Sequence, residues 1–200
     1  MGLVTIPNPA CRAAGNLIDS FSEGSFSLFD DGDWTNRSRI NGPIVDVRHV
    51  TGPGLGDWRA LLAPGSGYLD YDVQAIVPEG RGIALELRYT SGGAFNLADY
   101  DAFLLDFVGV SGSGRLKVSL DFLLDPSAVV EVPLTSSGAL EVSFDSMGVT
   151  SQTPFALRIS IVPDSLPFSF RLNEISVVPE PGTPCLMLAA GLHVLMRRRR

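Results

Sequence analysis

From Phe21 onward, apolar residues recur at every second position over much of the chain, the period at which successive side chains point to opposite faces of a β-strand. In IALELRY, Ile83, Leu85, Leu87 and Tyr89 share one face while Ala84, Glu86 and Arg88 share the other. LKVSLDF sets Leu116, Val118, Leu120 and Phe122 against Lys117, Ser119 and Asp121. LEVSFD and FALRISI repeat the arrangement, turning Leu140, Val142 and Phe144, then Phe155, Leu157, Ile159 and Ile161, inward. Half-buried strands of this kind belong in antiparallel sheets with one face on a core and the other in water. DAFLLDFVGV is apolar on both faces and reads as a central strand. FSFRLNEISVV alternates as far as Asn173 and Glu174, where a bulge restores the phase. SFSLF, PIVDVRHV and YLDYDVQAIV are further strand candidates.

Between these runs stand DDGD, TGPGLGD, PGSG, PEGRG, TSGG, SGSG and TSSG, all turn-forming, and no long segment carries a helical stripe. About ten short strands separated by glycine turns predict an all-β fold, an antiparallel β-sandwich of jelly-roll-like form. Leu85, Leu87, Phe103, Leu105, Phe107, Val118, Leu120, Leu157 and Ile159 are the expected filling between its sheets. A short apolar helix is expected at the C-terminus. The chain divides into an N-terminal segment of uncertain role (1–15), a sandwich body (16–177) and a tail (178–200).

Charge narrows the partners. The 200 residues carry 22 acidic and 15 basic side chains, and setting aside Arg197 to Arg200 leaves 22 against 11. A body so acidic repels nucleic acid and anionic lipid, and no nucleic-acid partner is expected. Cys11 and Cys185 lie near opposite ends, so the core stands without a disulfide. There is no CxxC, and His49 and His193 are remote from each other and from both cysteines, which argues against a nitrogen- or sulfur-ligated metal.

The tail VPEPGTPCLMLAAGLHVLMRRRR places an apolar run between prolines and four arginines. As a helix, Cys185 to Met196 would cover roughly 18 Å of a hydrocarbon layer about 30 Å thick, a short transmembrane helix suited to a transient hold. Arginines at its end keep that side cytoplasmic and leave the body outside. The order Pro179, Glu180 and Pro181, apolar segment, then Arg197, Arg198, Arg199 and Arg200 resembles the PEP-CTERM sorting signal of exported bacterial proteins. The resemblance implies an exosortase as partner, with Pro179, Glu180 and Pro181 as its recognition motif. It also implies transient residence in the inner membrane, and a final place on the cell surface or in an extracellular polysaccharide matrix. Residues 1–15 show neither the basic nor the apolar region of a secretory signal, so an export signal is expected upstream of Met1. The body, with LIDSF, DVRHV and RLNEISVV, resembles sandwich bodies that precede such tails, a likeness that implies no activity.

No constellation identifies catalysis, so no catalytic residue is assigned and the protein is read as a non-enzyme. A glycosidase would need two carboxylates on one cleft, for which Glu86 with Asp106 or Asp121 are the candidates; on strands such groups are ordinarily solvated. No GxSxG is present, and His49, near Asp46 and Arg48, has no serine partner. A carbohydrate-binding sandwich is the alternative function. Trp34, Trp58, Tyr68, Tyr71 and Tyr100 lie in or near turn-rich segments, where rings stack on apolar sugar faces or else line the edge of a core. Asp30, Asp31 and Asp33 offer hard oxygens to calcium, though DDGD needs no ion to turn. No other cofactor is implied.

Overall fold

A computed structural model of the protein describes residues 16–29, 35–40, 44–53, 56–76, 84–123, 127–149 and 153–179. Two antiparallel sheets enclose one core. Sheet A holds β1 (Asn16–Asp19), β2 (Phe26–Phe29), β5 (Gly56–Leu62), β6 (Leu69–Ile76), β8 (Tyr100–Ser111), β11 (Gly138–Ser143) and β13 (Phe168–Pro179). Sheet B holds β3 (Thr35–Arg39), β4 (Val47–Thr51), β7 (Leu85–Thr90), β9 (Gly114–Asp121), β10 (Ala128–Leu134) and β12 (Ala156–Pro163). Sheet A runs β11-β8-β13-β6-β5-β2 with β1 also on β13, and sheet B runs β10-β9-β12-β7-β4-β3. The chain passes repeatedly from one sheet to the other, which makes the fold a jelly-roll-like sandwich.

The nine residues expected between the sheets are all fully buried. Central β8 and the bulge of β13 also appear as the pattern predicts, the register of β13 on β8 shifting between Leu172 and Glu174. Other expectations need correction. Phe155 is 39% exposed and precedes β12, because that strand starts only at Ala156. Phe144 is buried, but as the first residue of a short helix, α1 (Phe144–Met147). Ser143 caps α1 by accepting from the Asp145 amide, and Gly148 ends it in the left-handed conformation at φ 65°. β5 begins inside the stretch TGPGLGD that reads as a turn, and β1, β3 and β10 carry too little alternation to announce themselves. Val178 and Pro179 belong to β13, opposite Ala102 and Tyr100, so the body extends past residue 177. The expected transmembrane helix finds no support in the structure. Among the described residues no helix is long and apolar enough to cross a membrane, and Cys185 to Met196, like Glu180, Pro181 and Arg197 to Arg200, lie outside them.

One polar cluster sits inside this apolar core and joins the two sheets. Asp19, at the end of β1, accepts from Arg48 Nη1 of β4 at 2.7 and 3.0 Å. The Tyr89 hydroxyl of β7 donates to the same carboxylate at 3.0 Å, and the Phe21 amide donates to it at 2.8 Å. Arg48 Nη2 donates to the Glu23 carbonyl at 2.7 Å, while the guanidinium carbon lies 5.4 Å from the Phe21 ring centroid and 5.8 Å from that of Phe26. Closing this turn puts Phe21 at φ 54°, a conformation that non-glycine residues hold only when surrounding contacts require it. The motifs LIDSF and DVRHV are therefore two halves of one structural device, an inter-sheet ion pair with Arg48 fully buried.

Burial, then the Asp19 charge, raises the Tyr89 hydroxyl well above its ordinary pKa of 10.0. Burial also raises Tyr71, whose hydroxyl has no hydrogen-bond partner among the described residues. Below pH 10 both forms of the chain keep these protons. Above it the unfolded chain releases them while the folded chain does not, so stability is lost as pH rises. A series of urea titrations is expected to show unfolding free energy falling above about pH 10 by up to about 1.4 kcal/mol per pH unit for each of the two tyrosines. Tyr89→Phe should flatten that slope.

Candidate functional site

Strand parity separates the aromatic candidates. Trp58 shares the inner face of β5 with Ala60 and Leu62 and is buried, its ring filling the space beside Gly52, where a Cβ would fall 1.9 Å from Trp58 Cη2. Tyr71 shares the inner face of β6 with Leu69 and Val73, packed 5.3 Å from Phe170 between ring centroids. Neither offers a ring to a ligand, which corrects the expectation that they stack on sugar. Tyr100 opens β8 and packs against the core edge. Tyr68, just before β6, is half-buried and remains at the surface. Leu69, Leu172 and Phe107 lie level across the sheet, whereas Tyr100 faces Pro179, so Tyr68 and Tyr100 are roughly 20 Å apart at about 3.3 Å per residue. Trp34, Asp30, Asp31 and Asp33 lie outside the described residues.

The carboxylates do not form a hydrolytic pair. Glu86 projects from the outer face of sheet B and Asp106 from that of sheet A, with the whole core between them. Asp106 accepts from Asn173 Nδ2 at 3.0 Å. Glu86 and Asp121 do share a face, but both are turned onto Arg158, at 3.7 and 3.0 Å. His49 is exposed on β4.

The residues that the outer face of sheet A brings together were signalled by the same alternation. In LDYDV, Leu69, Tyr71 and Val73 point inward, which sends Asp70 and Asp72 outward. Arg59 of β5 stands opposite Asp72, which stands opposite Ser169 of β13; one row along, Asp70 stands opposite Arg171. Arg171 donates to Asp70 through Nε at 2.9 Å and Nη2 at 3.4 Å, and its guanidinium carbon lies 3.7 Å from the Tyr68 ring centroid. The bond to Asp70 raises the Arg171 pKa, keeping the cation fixed against the ring. Val108, 43% exposed, and Gly109 at φ 63° complete the border. These residues, Tyr68 excepted, line a shallow, open depression of about 310 Å³. It presents an apolar methyl surface and preset donors and acceptors, and the Tyr68 ring stacks on its Arg171.

No family model and no curated protein matches the chain, so the likeness of residues 178–200 to a sorting signal has no counterpart there and is carried no further. The fold is similar to that of several solved structures. The family 11 carbohydrate-binding module of the cellulosomal cellulase Lic26A-Cel5E of Clostridium thermocellum is 12% identical, with 84% of this chain and 95% of that one covered at a TM-score of 0.44. TmCBM61, solved in complex with β-1,4-galactotriose, is 8% identical, with 84% and 100% covered at 0.39. PfGH50B is 7% identical at 0.44, and the match covers 62% of this chain while spanning 22% of that one.

Proposed function

We propose that the protein is a non-catalytic carbohydrate-binding module whose ligand lies on the outer face of sheet A. The observation that carries this reading is the Tyr68–Arg171–Asp70 unit beside the open depression. Sugars combine apolar C–H faces with dense hydroxyls, and the unit offers a ring for the former and fixed planar donors and acceptors for the latter. Because Asp70 already holds Arg171, little side-chain order has to be created on binding. An extracellular polysaccharide is the partner this face suits, since the depression is open at its sides and a chain can run through it.

The test is a glycan array on the full chain, followed by calorimetric titration of the strongest neutral oligosaccharide. Tyr68→Ala should weaken that binding about tenfold or more, the effect of losing a central contact residue, while leaving the melting temperature within a few degrees. Retained affinity in Tyr68→Ala, or an array on which no glycan binds, overturns the proposal.

A further inference from the structure

We propose that the opposite side of the sandwich, the outer face of sheet B, binds a carboxylate-bearing polysaccharide along a row of basic side chains crossing four strands. Arg37 of β3 stands opposite His49 of β4, His49 opposite Arg88 of β7, and Arg88 opposite Arg158 of β12. Residues directly opposite in a ladder share a face. That face is the outer one, because Arg48, Val50, Leu87, Tyr89, Leu157 and Ile159 on the same strands are buried. At about 4.8 Å between strands the row extends roughly 14 Å. Arg37, His49 and Arg88 are exposed, as is Arg39 two residues along β3.

The arrangement opposes the sheet's own stability. Like charges directly opposite across strands repel, and sheet A avoids this by facing Arg59 with Asp72 and Asp70 with Arg171. Of this row only the Arg158 end is neutralised among the described residues, by Asp121 and Glu86. Among the described residues Arg37 and Arg88 form no ion pair. A bound polyanion removes that repulsion.

Charge density selects among polyanions. Screening confines each charge to about 8 Å at physiological salt, so the row acts on a ligand despite the formal charge of -7. Duplex nucleic acid, with one charge per about 1.7 Å, would press far more negative charge on an acidic body than four side chains can offset. A polyuronate carries one carboxylate per sugar unit, a sparser charge that Arg37 and Arg88, about 10 Å apart across β4, can meet, and each guanidinium can grip a carboxylate with two parallel hydrogen bonds. Since this face lies across the core from Tyr68, the two surfaces bind independently.

Calorimetric titration of the full chain with polygalacturonate, using its fully methyl-esterified form as the uncharged control, tests the assignment. Binding is expected to polygalacturonate alone and to weaken between about 50 and about 200 mM salt. R37Q/R88Q should bind about tenfold more weakly with a shallower salt dependence, while Tyr68→Ala binds as the parent does. Both arginines are exposed, so the melting temperature of the double variant should match the parent's and exclude misfolding as the cause. Unchanged affinity in R37Q/R88Q, equal binding of the esterified polymer, or tighter binding of duplex DNA overturns the assignment.

Discussion

Arg48→Ala is expected to lose about 3–5 kcal/mol of unfolding free energy, a large share of the stability of a domain this size. Removing the guanidinium leaves Asp19 buried with its charge opposed by nothing, and leaves the Tyr89 hydroxyl and Phe21 amide converging on an anion that the core cannot solvate. It also opens a cavity between Phe21 and Phe26. Asp19→Asn should be comparably damaging, because Arg48, whose Nε already has no partner among the described residues, then carries the uncompensated charge. The double variant Asp19→Asn/Arg48→Met should be less unstable than the two single losses added together, since breaking a buried pair costs more than replacing both partners with neutral groups. Equilibrium urea denaturation of the four proteins measures this directly. Strict additivity would mean that the pair does not act as a unit.

Trp58→Ala is expected to cost about 3–5 kcal/mol, the range for an aromatic residue deleted from a core. Its ring occupies the space that Gly52 leaves open, so Gly52→Ala should also be strongly destabilising, for the opposite reason of overpacking. Thermal melts of both variants check these expectations. Sugar binding lost in Trp58→Ala would report unfolding, whereas loss in Tyr68→Ala, at a half-buried surface position, reports contact.

Period-two patterning made the sheets legible because strand parity follows from covalent geometry. The same rule decides the aromatics: Trp58, Ala60 and Leu62 form one parity set and Leu69, Tyr71 and Val73 another, so two of the five sugar-stacking candidates are core residues on the pattern alone. Reading a ring near a turn as a surface ring loses that information. Arg48 was beyond parity, since nothing local explains why a guanidinium should share a face with Val50. The reason is Asp19, 29 residues away in the other sheet. The cross-strand rows were hidden for a related cause. Asp72, Arg59 and Ser169 become neighbours only through registers set by β5 and β13, and Arg37, His49, Arg88 and Arg158 align only once β3, β4, β7 and β12 pair. Of the strands missed, β1 is short and β3 strongly polar, while β10 is apolar on both faces for much of its length; pairing with β13, β4 and β9 holds them in place.

The central claim, that the outer face of sheet A holds a glycan, is tested most directly by two-dimensional amide NMR of the isotope-labelled chain titrated with the neutral oligosaccharide chosen by the array. Saturable shifts are expected to cluster at Tyr68, Asp70, Asp72, Val108, Ser169 and Arg171, with β3, β4 and β7 unmoved. Shifts confined to the other sheet or to the loops, or a spectrum unchanged at saturating sugar, would contradict it.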